Sequence, residues 1–594
     1  MKEHIYMDTA TTHYLRLATA KELFLQFHES VPVTIESLSA ALCCTPRNVK
    51  FILRKLEEQG FIHWQPGRGR GHHSEMTLLR SVNEALEESF LELMSRGKMK
   101  EAIELIGSTE KNDALRERLL NSLNKQMGFH SHAESSSGQD VLRMVRSRRL
   151  AELDPAFVYT AFETYLLGQV CSTLITYDAK TGTFLPDLAH MWEYNEEQRV
   201  WTFYLRKGVR FHHGRVMTSR DVQVAFQRLR TVDSPFIWLY RDIEHTEVVG
   251  DYCIRFYLSQ PNHFFLNLLS CVSMTILLYD VDVSQQLIGT GPFRINEINE
   301  TVLTISAFDA YYGIRPHLDR VDIWFVPNLG PYERHYELPG TDRLKLAADD
   351  TGSNSVDYPA TGCRYMLINF RKAGIHHQLE FRQAMRMVFD PVALVRELGS
   401  NRITPANSFL PWKSAEHAWR ESSLEDAREL LRSSGYQGEK IILAYTVAKD
   451  QKEAEWLKQR GASIGLCIEL QPFVEFPNVR DTSEADLIIA EEVLEDDWQF
   501  GMINFFINKR NYFHICLSPD LQSVFYQKME NFLQQNEEQR SLLLNEAEDL
   551  LRDNCWILYG CHMNKKALLN QSLFGLHTAE FGFMDISKLW IKNQ

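Results

Sequence analysis

The chain has no apolar run long enough to cross a bilayer. Its longest candidate, Phe264 to Tyr279, is interrupted by Asn267, Ser270, Ser273 and Thr275. It falls short of the roughly 20 apolar residues a helical span needs, so it reads as buried helix or strand. Residues 1–29 lack the basic start, apolar core and small-residue cleavage site of an export signal, and no lipobox-like cysteine stands near them. The expectation is a cytoplasmic protein that does not engage a membrane. Cysteine is thinly spread, ten residues without a Cys-x-x-Cys pair, and Cys43 and Cys44 are too close for an ordinary disulfide. Free thiols in a reducing compartment follow.

Other missing patterns exclude chemistry. There is no His-Glu-x-x-His or cysteine-rich cluster, no Gly-x-Ser-x-Gly elbow and no phosphate loop. The pairs His212-His213 and His376-His377 would point to opposite faces of a strand, a poor arrangement for chelation. The acidic runs Asp349-Asp350 and Glu495-Asp496-Asp497 read as solvated surface rather than paired catalytic carboxylates. No catalytic residue, metal or cofactor is expected, and the chain is not read as an enzyme.

What is present is an ordinary globular balance, 44% hydrophobic and 24% charged over 594 residues. Such a length implies about three or four compact units. The net charge of −14 argues against a nucleic-acid binder as a whole. DNA affinity, however, comes from local basic surfaces, so the placement of the cations decides.

Residues 11–29 read as a helix with Leu15, Leu17, Leu23, Phe24 and Phe27 on its apolar face, ended by Pro32. Thr34 opens a second helix to Leu42. After the turn at Cys43-Cys44, Thr45 suits an N-cap and Pro46 the first helical position, and Gly60 suits the stop of a third helix over 46–59. A strand at 61–64, a basic turn containing Arg68 and Arg70, and a returning strand at 74–79 complete a helix-helix-turn-helix-hairpin order. Residues 80–127 continue as helix, and Ser135-Ser136-Ser137-Gly138 reads as linker.

In the third helix Val49, Ile52, Leu53 and Leu56 fall on one apolar face. Arg47, Asn48, Lys50, Phe51, Arg54 and Lys55 are left outward, where a major-groove helix carries its base and phosphate contacts. Arg68 and Arg70 on the glycine-rich hairpin suit phosphate or minor-groove contact, with Trp64 bracing the hairpin. The expected DNA-contacting set is Thr45, Arg47, Asn48, Lys50, Arg54, Lys55, Arg68 and Arg70. The rival is a winged helix that binds protein, with Phe51 as a contact.

From Val141 onward strand-like and helix-like runs alternate without a short repeat, a mixed α/β unit. Pro186-Asp187-Leu188-Ala189, then Trp201 to Gly214, then Thr218-Ser219-Arg220-Asp221-Val222 and Phe226 give a half-buried strand, a turn at Gly208 and a capped helix. By pattern alone these residues specify a packed lobe and no chemistry.

These motifs resemble the family 5 extracellular solute-binding proteins, which include peptide- and nickel-binding components of ABC importers. Leu153-Asp154-Pro155-Ala156, Gly289-Thr290-Gly291-Pro292-Phe293, Phe381 to Met385 with Phe389-Asp390-Pro391, and Ala427 to Tyr436 match further elements of that family. The resemblance covers residues 140–594. A winged helix in front of such a domain resembles the SgrR-type regulators, and Gly69-x-Gly71 and Phe211-His212-His213-Gly214 fit that group.

The resemblance implies a multidomain α+β and α/β chain: a winged helix-turn-helix at 1–79, a helical connector and linker at 80–139, and a two-lobed, type II periplasmic-binding-protein-like domain at 140–594. Lobe I would span 140–363 and 563–594, lobe II 364–562, with crossings near 364–370 and 556–562. It implies a cytoplasmic transcriptional regulator, with double-stranded DNA and a small molecule as partners. It would sense a metabolite linked to sugar-phosphate stress and modulate transport or metabolic genes. Trp412, Asp497 and Trp498 are the candidate ligand contacts, with ordinary core or surface roles as the alternative. The competing function is a solute-binding protein of a peptide-type ABC system whose N-terminal module docks a partner. Ligand, operator, direction of regulation and oligomeric state are left open.

Overall fold

The computed structural model describes residues 9–20, 23–67, 73–109, 112–124, 127–130, 138–146, 148–278, 281–283, 286–326, 354–359, 361–399, 402–473, 483–569, 573–575, 581 and 583–591. Contacts divide the chain into a smaller unit, residues 1–128 with 300–302 and 324–327, and a larger unit of all remaining residues. Among the described residues no helix is long and apolar enough to cross a membrane.

The smaller unit begins α1 (Thr9–Ala18), β1 (Ser30–Val33), α2 (Ile35–Leu42), α3 (Pro46–Glu58), β2 (Ile62–Gln65), β3 (Ser74–Leu78). The strands form an antiparallel sheet in the order β1-β3-β2, so Pro32 sits on an edge strand where its missing N–H costs no ladder bond. This is the winged helix expected from the sequence. The Thr34 hydroxyl accepts from Ser37 N at 3.1 Å and starts α2. Cys43 takes a left-handed conformation, φ 51°, and turns the chain into α3. Pro46 occupies the first turn of α3, and Gly60 at φ +72° follows its end.

The first helix is shorter than its apolar pattern suggests. It stops at Ala18, and Phe24 and His28 are left-handed, φ 50° and 61°, which no helix can carry. The backbone finds a sheet partner instead, with His28 N donating to Leu78 O at 3.0 Å. The helical stretch after the wing is three helices: α4 (Val82–Ser95), α5 (Met99–Ser108) and α6 (Asp113–Asn124), the first break falling at Gly97, φ +70°.

The larger unit holds all or most of β4 (Gly128–His130), β5 (Val141–Arg146), α7 (Ala161–Val170), β6 (Ile175–Asp178), β7 (Thr183–Pro186), β8 (Ala189–Asn195), β9 (Val200–Leu205), α8 (Ser219–Thr231), α9 (Ile237–Tyr240), β10 (Ile243–Val248), β11 (Cys253–Leu258), α10 (Phe265–Ser270), β12 (Phe293–Ile298), β13 (Val302–Ala307) and β14 (Arg320–Phe325). Strands β8 to β11 make an antiparallel sheet in the order β10-β11-β9-β8, and β12, β13 and β14 join β5 in another. The glycines of the Gly-Thr-Gly-Pro element are required sterically. A Cβ on Gly289 would lie 2.3 Å from Val170 O, and one on Gly291 2.6 Å from the Val170 carbonyl carbon. His212 closes over the same element, with its backbone N on Gly289 O at 3.0 Å and its ring Nε2 on Gly291 O at 3.1 Å. Burial lowers the pKa of His212 to about 4, so the ring is neutral and donates from Nε2.

The remainder comprises β15 (Asn354–Pro359), β16 (Gly362–Ile368), α11 (Leu379–Val388), α12 (Pro391–Leu398), β17 (Arg402–Pro405), α13 (Pro411–Ala415), α14 (Leu424–Ser433), β18 (Ile441–Thr446), α15 (Val447–Ser463), β19 (Ile468–Phe473), β20 (Leu487–Val493), α16 (Trp498–Ile507), α17 (Tyr512–Cys516), α18 (Pro519–Lys528), α19 (Glu537–Asp553), β21 (Ile557–Tyr559) and β22 (Cys561–Leu569). A mixed sheet runs β19-β18-β20-β16-β21. The two segments expected as crossings are neighbours inside this sheet, with Tyr365 opposite Tyr559. The chain reaches and leaves it through β15 and β22, which pair antiparallel.

Arg364 on β16 is fully buried. Its guanidinium binds Asp450 at 2.5 Å and Glu453 at 2.8 Å, and Arg402 on β17 binds the same Glu453 oxygen at 2.9 Å. Burial opposes the charge, but the carboxylates of Glu453, Asp450 and Glu491 overcome it and hold the guanidinium well above its usual range. Residues 238–267 are also fastened to residues 497–540. The Trp238 ring stacks on Phe500 at 5.7 Å, Phe264 meets Phe532 at 5.3 Å, and His263 N donates to Leu533 O at 2.8 Å.

Candidate nucleic-acid interface and ligand cleft

Helix α3 buries Val49, Ile52, Leu53 and Leu56 against the core of the smaller unit. Thr45, Arg47, Asn48, Lys50, Phe51 and Arg54 are exposed, and Lys55 is half-buried. One helix therefore brings six of the eight expected DNA contacts together, and Phe51 lies among them. Arg68 and Arg70 lie outside the described residues. Thr45 is the N-cap of α3 but makes no side-chain cap hydrogen bond. Its hydroxyl, beside the unsatisfied N–H groups of the first turn, suits a phosphate oxygen.

Arg54 is engaged by Glu58 one turn on, Nε to Oε1 at 2.8 Å, with both side chains mostly exposed. Such a pair contributes only about 0.3–0.5 kcal/mol, so a phosphate or a base edge can displace it. Glu57 accepts from Trp64 N at 3.0 Å and fixes β2 to the end of α3. Trp64 packs on the same core, which holds the start of the hairpin against the helix.

The three candidate ligand contacts come from two separate segments of the larger unit. Trp412 near the start of α13 and Trp498 at the first position of α16 meet at 6.1 Å, ring planes 80° apart, and Trp412 remains 49% exposed. Asp497 is the N-cap of α16. It accepts from Gln499 N at 3.1 Å, from Phe500 N at 3.2 Å and from Asn267 Nδ2 at 2.6 Å. Its oxygens are thus occupied by its own helix and by a residue of α10.

The acidic run at 495–497 is solvated only at Asp496, which is exposed, and Asp349-Asp350 lie outside the described residues. Asp497 is buried, and Glu495 is half-buried with Asn504 donating to it at 3.1 Å. Glu492 at the end of β20 accepts from Tyr365 Oη at 3.4 Å. Burial, then the charge of Glu495, pushes Glu492 up to about 8, and burial pushes Glu495 up to about 7. Tyr177 on β6 lies near Phe184, ring centroids 5.4 Å apart. Burial raises its pKa, and the carboxylates of Asp497, Glu537, Asp178 and Asp496 raise it further. The Trp412 and Trp498 rings therefore offer a partly exposed aromatic surface on which a ligand can pack. Sequence reading missed Asn267, which holds Asp497, and the burial of Glu492 at the end of β20. The one available signal was a buried strand ending in carboxylates just ahead of a helix, the usual position of a site in an open sheet.

These pKa shifts have a consequence for stability. A carboxyl with a raised folded pKa binds a proton more tightly in the native state, so its contribution is full below about pH 4.5 and falls as pH rises toward 8. Buried His212, lowered to about 4, acts in the opposite sense below about pH 6.5, so the variant is compared with the wild type: from about pH 5 to pH 8 the urea midpoint of Glu492→Gln should rise relative to that of the wild type. An unchanged slope in the variant would exclude the assignment.

A family model for bacterial extracellular solute-binding proteins, family 5 Middle, matches residues 183–510. A second model, for the N-terminal region of sugar transport-related sRNA regulators, matches residues 10–130. The uncharacterized protein YhjP of Bacillus subtilis (strain 168) is 28% identical over 593 residues, 98% of this chain and 99% of that protein. The HTH-type transcriptional regulator SgrR of Yersinia pestis (strain Pestoides F) is 29% identical over 411 residues, 68% of this chain and 70% of its own. Among solved structures, the dipeptide binding protein from Pseudoalteromonas sp. SM9913 in complex with Met-Leu superposes with a TM-score of 0.65 at 17% identity, covering 76% of this chain and all of that one. The larger unit accordingly has the two-lobed solute-binding fold.

Proposed function

Because this chain belongs to the bacterial extracellular solute-binding proteins of family 5 and carries a regulator-type N-terminal region at residues 10–130, we propose that it is a DNA-binding transcriptional regulator whose solute-binding domain senses a small metabolite. The carrying observation is the exposed cationic outer face of α3 on a winged helix, in one chain with a solute-binding fold. We assign residues 1–79 to DNA binding and 80–139 to the connector. Residues 140–594 form the sensor, with lobe I at 140–363 and 563–594 and lobe II at 364–562. Thr45, Arg47, Asn48, Lys50, Arg54, Lys55, Arg68 and Arg70 contact the duplex. Trp412 and Trp498 contact the metabolite, and Asp497 positions Trp498. The protein works in the cytoplasm, and ligand-dependent rearrangement of the sensor biases DNA affinity.

The test is binding of the full chain to duplex DNA from its own upstream region across a salt series. Specific binding should weaken with a log–log slope of about −0.9 per phosphate contacted. Binding no stronger than to random duplex, with and without cell-extract metabolites, would instead favour a partner-docking module on an importer component.

A further inference from the structure

The outer face of α3 holds one residue that a purely electrostatic contact does not need. Arg47, Phe51 and Arg54 stand at i, i+4 and i+7, opposite the buried Val49, Ile52, Leu53 and Leu56. Phe51 is 70% exposed, while Lys50 and Arg54 beside it are exposed as well. A large ring held in water amid cations lowers solubility and adds nothing to the core of this unit. The cations select the occupant of the face, a polyanion. Within a duplex major groove the apolar feature offered to a side chain is the 5-methyl group of thymine.

We propose that Phe51 reads thymine. With α3 in the major groove, the ring packs on a thymine 5-methyl group between the contacts of Arg47 and Arg54, and the protein selects a T·A pair at that step. This rests on the DNA-binding reading above. It adds an apolar contact to the thymine 5-methyl group, which arginine and asparagine hydrogen bonds to guanine and adenine edges do not make.

The experiment uses the full chain and a duplex enriched from a randomised pool, selected with and without the small-molecule fraction of a cell extract. Thymines of the enriched duplex are then replaced singly by deoxyuridine, which removes only the methyl group. At one position the wild-type protein should bind about fourfold more weakly, the size expected for one methyl group withdrawn from water. Phe51→Ala should bind the thymine and deoxyuridine duplexes equally, and Phe51→Leu should restore part of the discrimination. Circular dichroism should match the wild type, since the ring is exposed. Indifference of the wild-type protein to every replacement, or an undiminished methyl effect in Phe51→Ala, overturns the inference while leaving DNA binding intact. A pool that never enriches overturns the DNA-binding reading itself. A change of sedimentation in Phe51→Ala with unchanged DNA affinity makes Phe51 a protein contact and also overturns the inference.

Discussion

Replacing Arg47 and Arg54 together by alanine should weaken duplex binding by about 100-fold while the protein stays folded. Each well-placed arginine contact is worth about 1–3 kcal/mol, and a hundredfold corresponds to about 2.7 kcal/mol. If both contact phosphate or its neighbourhood, the salt slope should shrink by about 2 units. Neither side chain supports the fold. Arg47 is exposed, and the Arg54–Glu58 pair lies on the surface, so the melting temperature should hardly move. Glu58 supplies a converse test: Glu58→Gln frees Arg54 and removes a charge that repels phosphate, so affinity should rise. Unchanged affinity in the double variant would remove α3 from the interface.

The second large effect is on stability. Arg364→Met should cost about 3–5 kcal/mol in urea unfolding, the usual penalty for stranding a buried ionic partner. Asp450 and Glu453 are both buried, and among the described residues Glu453 would keep Arg402 alone. The double replacement Arg364→Met and Asp450→Leu should recover much of that loss, because Glu453 keeps its pairing with Arg402 and the stranded Asp450 carboxylate is gone. If the single variant loses less than about 1 kcal/mol, water or relaxation reaches the network and the site is not sealed.

Much of the smaller unit was legible because its signals are local. Thr45-Pro46, the spacing of Val49, Ile52, Leu53 and Leu56, and Gly60 each act within one turn of α3. The helix expected over 11–29 failed because a nonlocal partner, the Leu78 carbonyl, competes for the backbone at His28. The cleft was legible only in part. Trp412 and Trp498 could be named from residue type, but their meeting depends on how α13 and α16 pack. Within the run Glu495-Asp496-Asp497 the middle residue is surface as read, but Asp497 is buried because a distant segment, α10, covers it through Asn267. The Gly-Thr-Gly-Pro element could be matched but not explained until Val170 was seen against it.

The aromatic joint between residues 238–267 and 497–540 sets a clock. Opening the larger unit there would wet Trp238 and Phe500, which stack, and Phe264 and Phe532, which meet edge to face. Exposing even part of rings that bury about 150–250 Å² each costs on the order of several kcal/mol. If release of a ligand requires this joint to part, such openings are sparsely populated, and Trp238→Ala should speed the release read by stopped-flow dissociation.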